Sequence, residues 1–171
     1  TYQETLEKMG VALFKSWFID FDPVREKMEG RKPVGMDHAT AALFPDSFED
    51  SELGEIPKGL RIKCLGDLIN LAYGKALKEE LRQPGDVPVF GSNGQVGWHD
   101  EKLVEGPGVI VGRKGNPGVV TWVPTDFFPI DTTFYVVPKD ECRSLYFSFF
   151  ALSVQDLPSL CADSAVPGLN I

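Results

Sequence analysis

The stretch Val87-Pro88-Val89-Phe90-Gly91-Ser92-Asn93-Gly94-Gln95-Val96-Gly97-Trp98 sets the reading of everything around it. Two short apolar runs, Pro88–Gly91 and Val96–Trp98, flank Ser92-Asn93-Gly94. Asn-Gly supplies the positive-φ residues that a tight hairpin turn demands, so the runs read as two antiparallel strands. The same texture continues downstream. Val109–Val111, Val119–Val123 and Thr133–Val137 read as further strands, separated by loops that carry Gly and Pro. Ser144–Val154 then reads as an apolar, Phe-rich helix, and Ser164-Ala165-Val166-Pro167-Gly168-Leu169-Asn170 as a loop. Upstream, Arg61–Leu65 reads as a short strand and Leu65–Leu71 as a short helix. The expectation is an α+β fold, a small mixed β-sheet with short helices, over residues 55–171.

The other end of the chain is built differently. Leu6, Met9, Leu13, Phe14, Trp17, Phe18 and Phe21 recur at three- and four-residue steps, which predicts a separate amphipathic helix from residue 3 to about 21. Gln3, Glu4, Glu7, Lys8 and Lys15 fall on much of the opposite face. Asp22-Pro23 should stop it, because Pro disfavours helical geometry in the residue before it. The stripe Leu6, Met9, Leu13, Phe14, Trp17 and Phe18 fits packing onto its own domain or onto a partner helix. Its place at one end of the chain favours the partner, and a second copy of the chain is one candidate. Residues 23–54, rich in Pro, Gly, Asp and Glu, read as a linker interrupted by a helical segment at Ala39–Leu43. The expected division is therefore helix 1–22, linker 23–54 and domain 55–171. With Thr1 in place of Met, the sequence reads as a piece of a longer chain.

Composition narrows the function classes. Hydrophobic residues make up 43% and charged residues 25%, enough apolar surface for a packed core. No apolar run reaches the roughly 18–20 residues that span a bilayer. The first twenty residues carry acids throughout, unlike a secretory leader. No membrane association is expected, and a cytoplasmic address follows. Cys64, Cys142 and Cys161 lie far apart with no CxxC pairing and no nearby histidine. They read as buried free thiols in a reducing compartment, with no metal site. The net charge of −8 argues against a nucleic-acid partner, but it is unevenly spread. Residues 1–56 carry six basic and twelve acidic residues, and residues 116–171 two and six, whereas residues 57–115 carry nine and seven. Local field steers a polyanion, and the net-basic third holds most of the loops considered next.

Catalytic chemistry is hard to find. His38 and His99 are far apart and neither sits beside an obvious nucleophile or ligand set. Gly91-Ser92-Asn93-Gly94 and Gly112-Arg113-Lys114-Gly115 are Gly-rich, yet neither fits a phosphate-binding loop that leads into a helix. Turn formation explains both better. Asp100-Glu101-Lys102 has a D-x-K element found in nucleases, but Pro45-Asp46 is far upstream and a solvated hairpin end explains the charges. A methyltransferase would need a cofactor-binding βαβ unit and a Pro-Pro or Pro-Cys loop, and neither is present. A non-catalytic chain is expected, with no cofactor of its own. What remains is a recognition surface. Lys75, Ser92, Asn93, Arg113, Lys114, Asn116 and Thr132 fall in or beside loops. Arg and Lys suit guanine edges and phosphates, and Asn can bond adenine in two places, so these seven are the expected DNA contacts. Each also reads as an ordinary solvated loop residue. For Lys78, followed by Glu79 and Glu80, that plainer reading is preferred.

The stretch Leu13-Phe14-Lys15-Ser16-Trp17-Phe18-Ile19-Asp20-Phe21-Asp22-Pro23-Val24-Arg25 resembles the end of the central conserved helix in specificity subunits of type I restriction-modification systems. Leu43-Phe44-Pro45-Asp46-Ser47-Phe48 with Glu55-Ile56-Pro57-Lys58-Gly59 is similar to the lead-in to that family's second recognition domain. Leu65-Gly66-Asp67, Pro88–Gly94, Gly112–Asn116 and Ser164–Asn170 then follow in the family's order, so the resemblance covers nearly the whole chain. It implies the tail of a spacer helix, a tether and a target-recognition domain that reads half of a split site in double-stranded DNA. It also implies partners: methylation subunits docked on the helices and, through the complex, the restriction subunit. Methyl transfer and cleavage, with S-adenosylmethionine and ATP, would belong to those other chains. Two alternatives stay open. One is the same kind of domain within a single-chain restriction-methylation enzyme, the other a protein-interaction module without nucleic acid.

Overall fold

The computed structural model describes residues 2–142 and 144–159. The chain divides into two compact units, Thr1–Lys63 and Cys64–Ile171. In the first, helix α1 runs over Tyr2–Phe18. It ends three residues earlier than its stripe suggests because the next turn is tied by side chains. Ser16 Oγ donates to Asp22 (2.7 Å) and Arg25 Nε to the Asp20 carbonyl (3.1 Å). Phe21 takes a left-handed φ of 55°, and a second helix, α2 (Asp22–Met28), starts with Pro23 in its first turn. Pro is tolerated there because the first N–H groups of a helix lack helical acceptors.

The stretch read as a linker is folded. After α2 come helix α3 (His38–Ala42) and a hairpin of β1 (Phe48–Ser51) and β2 (Gly54–Pro57). Asp37 caps α3 by accepting the Thr40 N–H (2.7 Å), and Lys27 Nζ donates to the carbonyls of Ala41 (2.8 Å) and Phe44 at its other end. A cation on the last carbonyls of a helix also complements its dipole. Aromatic rings knit these short pieces to α1: Trp17 and Phe18 lie 5.9 and 6.0 Å from Phe44, and Phe21 lies 6.2 Å from Phe48. Elements of four to seven residues are too short to show a period, which is why the composition alone suggested a tether. The apolar stripe of α1 divides in two. Phe14 is buried and Trp17 half-buried, whereas Leu6, Met9, Leu13 and Phe18 stay 50%, 62%, 47% and 42% exposed.

The second unit is the expected α+β fold. It runs α4 (Leu65–Leu68), β3 (Ile69–Tyr73), β4 (Val87–Gly91), β5 (Gly94–His99), β6 (Gly108–Gly112), β7 (Val120–Val123), β8 (Phe128–Pro129), β9 (Thr133–Pro138) and α5 (Leu145–Ser153). One antiparallel sheet has the order β3-β9-β6-β7. A second, ordered β5-β4-β8, pairs β4 with β5 antiparallel and with β8 parallel. Two expectations need correction. Residues 61–64 form no strand, and the helix expected to Leu71 stops at Leu68, where the chain turns into β3 and pairs with β9. Asp67 accepts the Cys64 N–H (3.0 Å) and starts α4 one turn before that switch.

Strand β6, Gly108-Val109-Ile110-Val111-Gly112, is buried along its whole length. Val109 and Val111 join Ile69, Phe134, Val136, Phe149 and Leu152 in the cluster under α5. Ile110 points the other way, to Val123 and Phe127. Ser144 Oγ caps α5 by accepting the Phe147 N–H (3.2 Å). The thiol expectation is overturned at one position: Cys64 is exposed, because it sits at the N-cap of α4 rather than in a core, and Cys142 is half-buried. Cys161 and the loop at 164–170 lie outside the described residues. No described helix is long and apolar enough to cross a membrane.

The loops before β6 and after β7 are tied by Asp126, which accepts from Lys102 Nζ (2.6 Å) and the Gly106 N–H (2.8 Å). These bonds, that from Lys102 foremost, hold the Asp126 carboxyl below its ordinary value. A depressed folded pKa stabilises the fold above the unfolded value, about 3.9, and the gain is lost as pH falls through the lowered value. Asp126→Asn should therefore flatten the acid limb of stability against pH in denaturant titrations below about pH 4. An acid limb unchanged by the substitution would show that this tie carries no stability.

Candidate nucleic-acid interface

Three loops leave the strands at one end of the second unit and are bonded to one another. Thr132, between β8 and β9, is the hub. Its carbonyl accepts the N–H groups of Arg113 (2.9 Å) and Lys114 (3.1 Å), and its Oγ1 accepts the Ser92 N–H (3.3 Å) from the β4–β5 turn. Asn116 Nδ2 donates to Asn93 Oδ1 (2.8 Å), joining the β6–β7 loop to that same turn. The exit of β3 closes the rim: Gly74 N–H donates to Thr133 and Lys75 N–H to Pro129.

Such close approach needs glycine. A Cβ on Gly112 would lie 2.0 Å from the Asn116 carbonyl, and one on Gly74 would lie 2.1 Å from the Ile130 carbonyl. The Gly-Arg-Lys-Gly stretch is not itself the expected turn: Gly112 ends β6, where it is a packing requirement, and the turn falls at Pro117-Gly118. All seven residues expected as DNA contacts, Lys75, Ser92, Asn93, Arg113, Lys114, Asn116 and Thr132, fall on this one rim.

They are not equivalent. The Arg113 guanidinium lies 4.9 Å from the Tyr73 ring and 5.8 Å from the Phe134 ring, and its Nη1 donates to the Asp131 carbonyl (3.2 Å). A cation over such rings is worth about 0.5–2 kcal/mol, so this arm is braced before any ligand arrives. Lys75 and Lys114 are exposed, and their ammonium groups make no hydrogen bond or ion pair among the described residues. Lys78 faces Glu80 at 4.0 Å, in keeping with its plainer reading. The bracing by Tyr73 and Asp131 escaped the sequence reading. Its signal is the register of β3 with β9, which sets Tyr73 opposite Phe134, and residues 69–71 had been read as helix.

A cleft of about 700 Å³ is lined by residues that include Asp86, Phe90, Gln95, Trp98, Pro124 and Asp126. Its carboxylates do not suit phosphate. Among the described residues no group of three His, Cys, Asp or Glu side chains is placed to hold a metal ion.

Comparison with known proteins gives a consistent answer. The family described as the type I restriction modification DNA specificity domain matches residues 57–171. The HindI specificity subunit of Haemophilus influenzae is 65% identical, aligned to 98% of this chain and 50% of its own length. The MjaIX specificity subunit of Methanocaldococcus jannaschii is 34% identical across 42% of this chain and 12% of its own length. The chain thus spans half or less of these relatives. Among solved structures, a type I S subunit from M. genitalium overlaps 61% of this chain and 29% of its own, with a TM-score of 0.54 at 22% identity. A chain from work on complex assembly and conformational transition of the type I R-M system overlaps 98% of this chain and 42% of its own, with a TM-score of 0.56 at 14% identity. At these identities the two structures speak for the fold alone, and they agree with the architecture above. This chain belongs to the type I restriction-modification DNA specificity family.

Proposed function

We propose that residues 55–171 form a target-recognition domain that reads half of a split site in double-stranded DNA. The observation that carries this reading is the rim itself. Seven side chains suited to phosphates and base edges are held on one surface by loops bonded through Thr132 and through Asn93–Asn116. Prior ordering matters because each mobile side chain fixed on binding costs about 0.5–1.5 kcal/mol. Lys75 and Lys114 are the phosphate contacts, since they are exposed and unengaged. Arg113, held by its aromatic bed, turns its remaining N–H groups to a guanine edge or a phosphate, with Ser92, Asn93, Asn116 and Thr132 beside it. Residues 1–22 are the end of a spacer helix in this reading, and methylation and restriction subunits carry the chemistry with their own cofactors.

Lys75→Ala and Lys114→Ala should each weaken binding to all duplexes about equally and lower the slope of log K against log salt by about 0.9. Arg113→Ala should instead cost about 1–3 kcal/mol concentrated at one position of the target. Binding by the full subunit in its complex, measured over a salt series, reads both effects. Affinity, slope and base preference unchanged in all three variants would make the rim a structural feature only.

The purified chain by itself should transfer no labelled methyl group to DNA and cut none. Either activity would place catalysis in this chain and overturn its role as a recognition element.

The exposed Leu6, Met9 and Leu13 side chains form an apolar strip on α1 that fits a partner helix, and a second copy supplies one in the isolated chain. Sedimentation should show self-association that Leu13→Asp abolishes. A wild-type chain that stays monomeric at high concentration would remove the second copy from consideration.

A further inference from the structure

We infer that Asn116 reads an adenine in the major groove and that Asn93 is the positioning residue that fixes its amide. This rests on the reading of the rim as the DNA-facing surface and goes beyond it by naming the base and the reader. A side-chain amide has two N–H donors and a carbonyl oxygen. The 2.8 Å bond from Asn116 Nδ2 to Asn93 Oδ1 uses one hydrogen and leaves the other, together with the Asn116 Oδ1 acceptor. Both residues are exposed. A free N–H beside a free C=O complements adenine, which offers N7 as acceptor and N6–H₂ as donor. It mismatches guanine, which offers two acceptors, N7 and O6.

An unrestrained amide presents this pattern in two orientations, only one of which fits. Asn93 holds one of them: with its Oδ1 turned to Asn116 it receives the nitrogen end of that amide and leaves the oxygen end outward. The backbone beneath is equally constrained. Gly115 takes a φ of +84°, and the Asn116 carbonyl lies against Gly112 with no room for a Cβ. The other polar candidates are more committed. Thr132 Oγ1 is engaged by Ser92, and the Arg113 guanidinium by two rings and a carbonyl. Asn116 combines a free donor, a free acceptor and a pinned orientation.

The test is selection of bound duplexes from a randomised library by the full-length subunit assembled with its methylation partners, with salt slopes measured alongside. Asn116→Ala should cut the preference for adenine over guanine at one position by about 5- to 150-fold, leaving other positions intact. Asn93→Ala should erode the same position. Asn93→Asp keeps the accepting oxygen and should restore that preference while lowering affinity for every duplex through its added charge. If Lys75→Ala and Lys114→Ala weaken binding but Asn116→Ala leaves every position unchanged, the inference fails and the DNA-facing rim stands. If none of these variants changes binding, both fail. An Asn93→Asp profile identical to Asn93→Ala would remove Asn93 from its positioning role.

Discussion

Burial of β6 on both faces ties the two halves of the second unit together. A strand that alternates sides sends Val109 and Val111 to the layer under α5 and Ile110 to the layer holding Val123 and Phe127. Each layer therefore depends on the same five residues, and a one-residue slip would exchange the contents of both cores. The glycines at its ends answer to packing as well. A Cβ on Gly108 would meet the Phe127 ring at 2.5 Å, and one on Gly112 would meet the Asn116 carbonyl at 2.0 Å. Register in the core is thus passed directly to the loop that carries Arg113, Lys114 and Asn116.

From that constraint the rim inherits its order. Loops ordinarily sit over a scaffold with freedom to move, and much of their binding free energy is then lost to ordering. Here three loops share hydrogen bonds across chain separations of 23 and 40 residues, Asn93 to Asn116 and Ser92 to Thr132. Thr132 reaches two loops by different groups, its Oγ1 the β4–β5 turn and its backbone carbonyl the Arg113–Lys114 stretch, so a substitution there would release only the first. Arg113 illustrates the division of labour. Half of what it does is hold the surface together, by lying over Tyr73 and Phe134.

Much of this architecture was legible in residue pattern, and the illegible parts share a cause. The Asn-Gly hairpin, the strands at Val109–Val111 and Thr133–Val137, and α5 with its Ser144 cap all carry local signals that tertiary structure did not override. β8, two residues long, has no pattern of its own and exists through its pairing with β4. β3 was obscured because Leu65, Leu68 and Leu71 repeat at a helical step, while cross-strand partners in β9 take the chain from Ile69 onward. Residues 23–54 read as a linker because Trp17, Phe18 and Phe21 find Phe44 and Phe48 at distances no periodicity reveals. For the rim, residue type and loop position identified the seven candidates. Their convergence depended on strand register, and the split of Arg113 between bracing and reach depended on which rings lie beneath it.

A net charge of −8 is compatible with the proposed DNA-facing rim because the excess acids fall in residues 1–56 and 116–171, whereas Lys75, Arg113 and Lys114 belong to the net-basic stretch between them. The turn end of the β4–β5 hairpin carries Ser92 and Asn93, bonded into the surface that holds Lys75, Arg113 and Lys114. Its open end pairs Val87 with His99, flanked in the chain by Asp86 and Asp100, and Asp126, itself paired with Lys102, joins Asp86 in lining the cleft there. Strand rise of about 3.3 Å per residue separates the two ends by roughly 13–17 Å. The Debye length at physiological salt is about 8 Å, so in the proposed reading a phosphate at the rim would meet Lys75 and Lys114 with the carboxylates of the open end largely screened. For the proposed reading, where the charges sit therefore weighs more than the sign of their total.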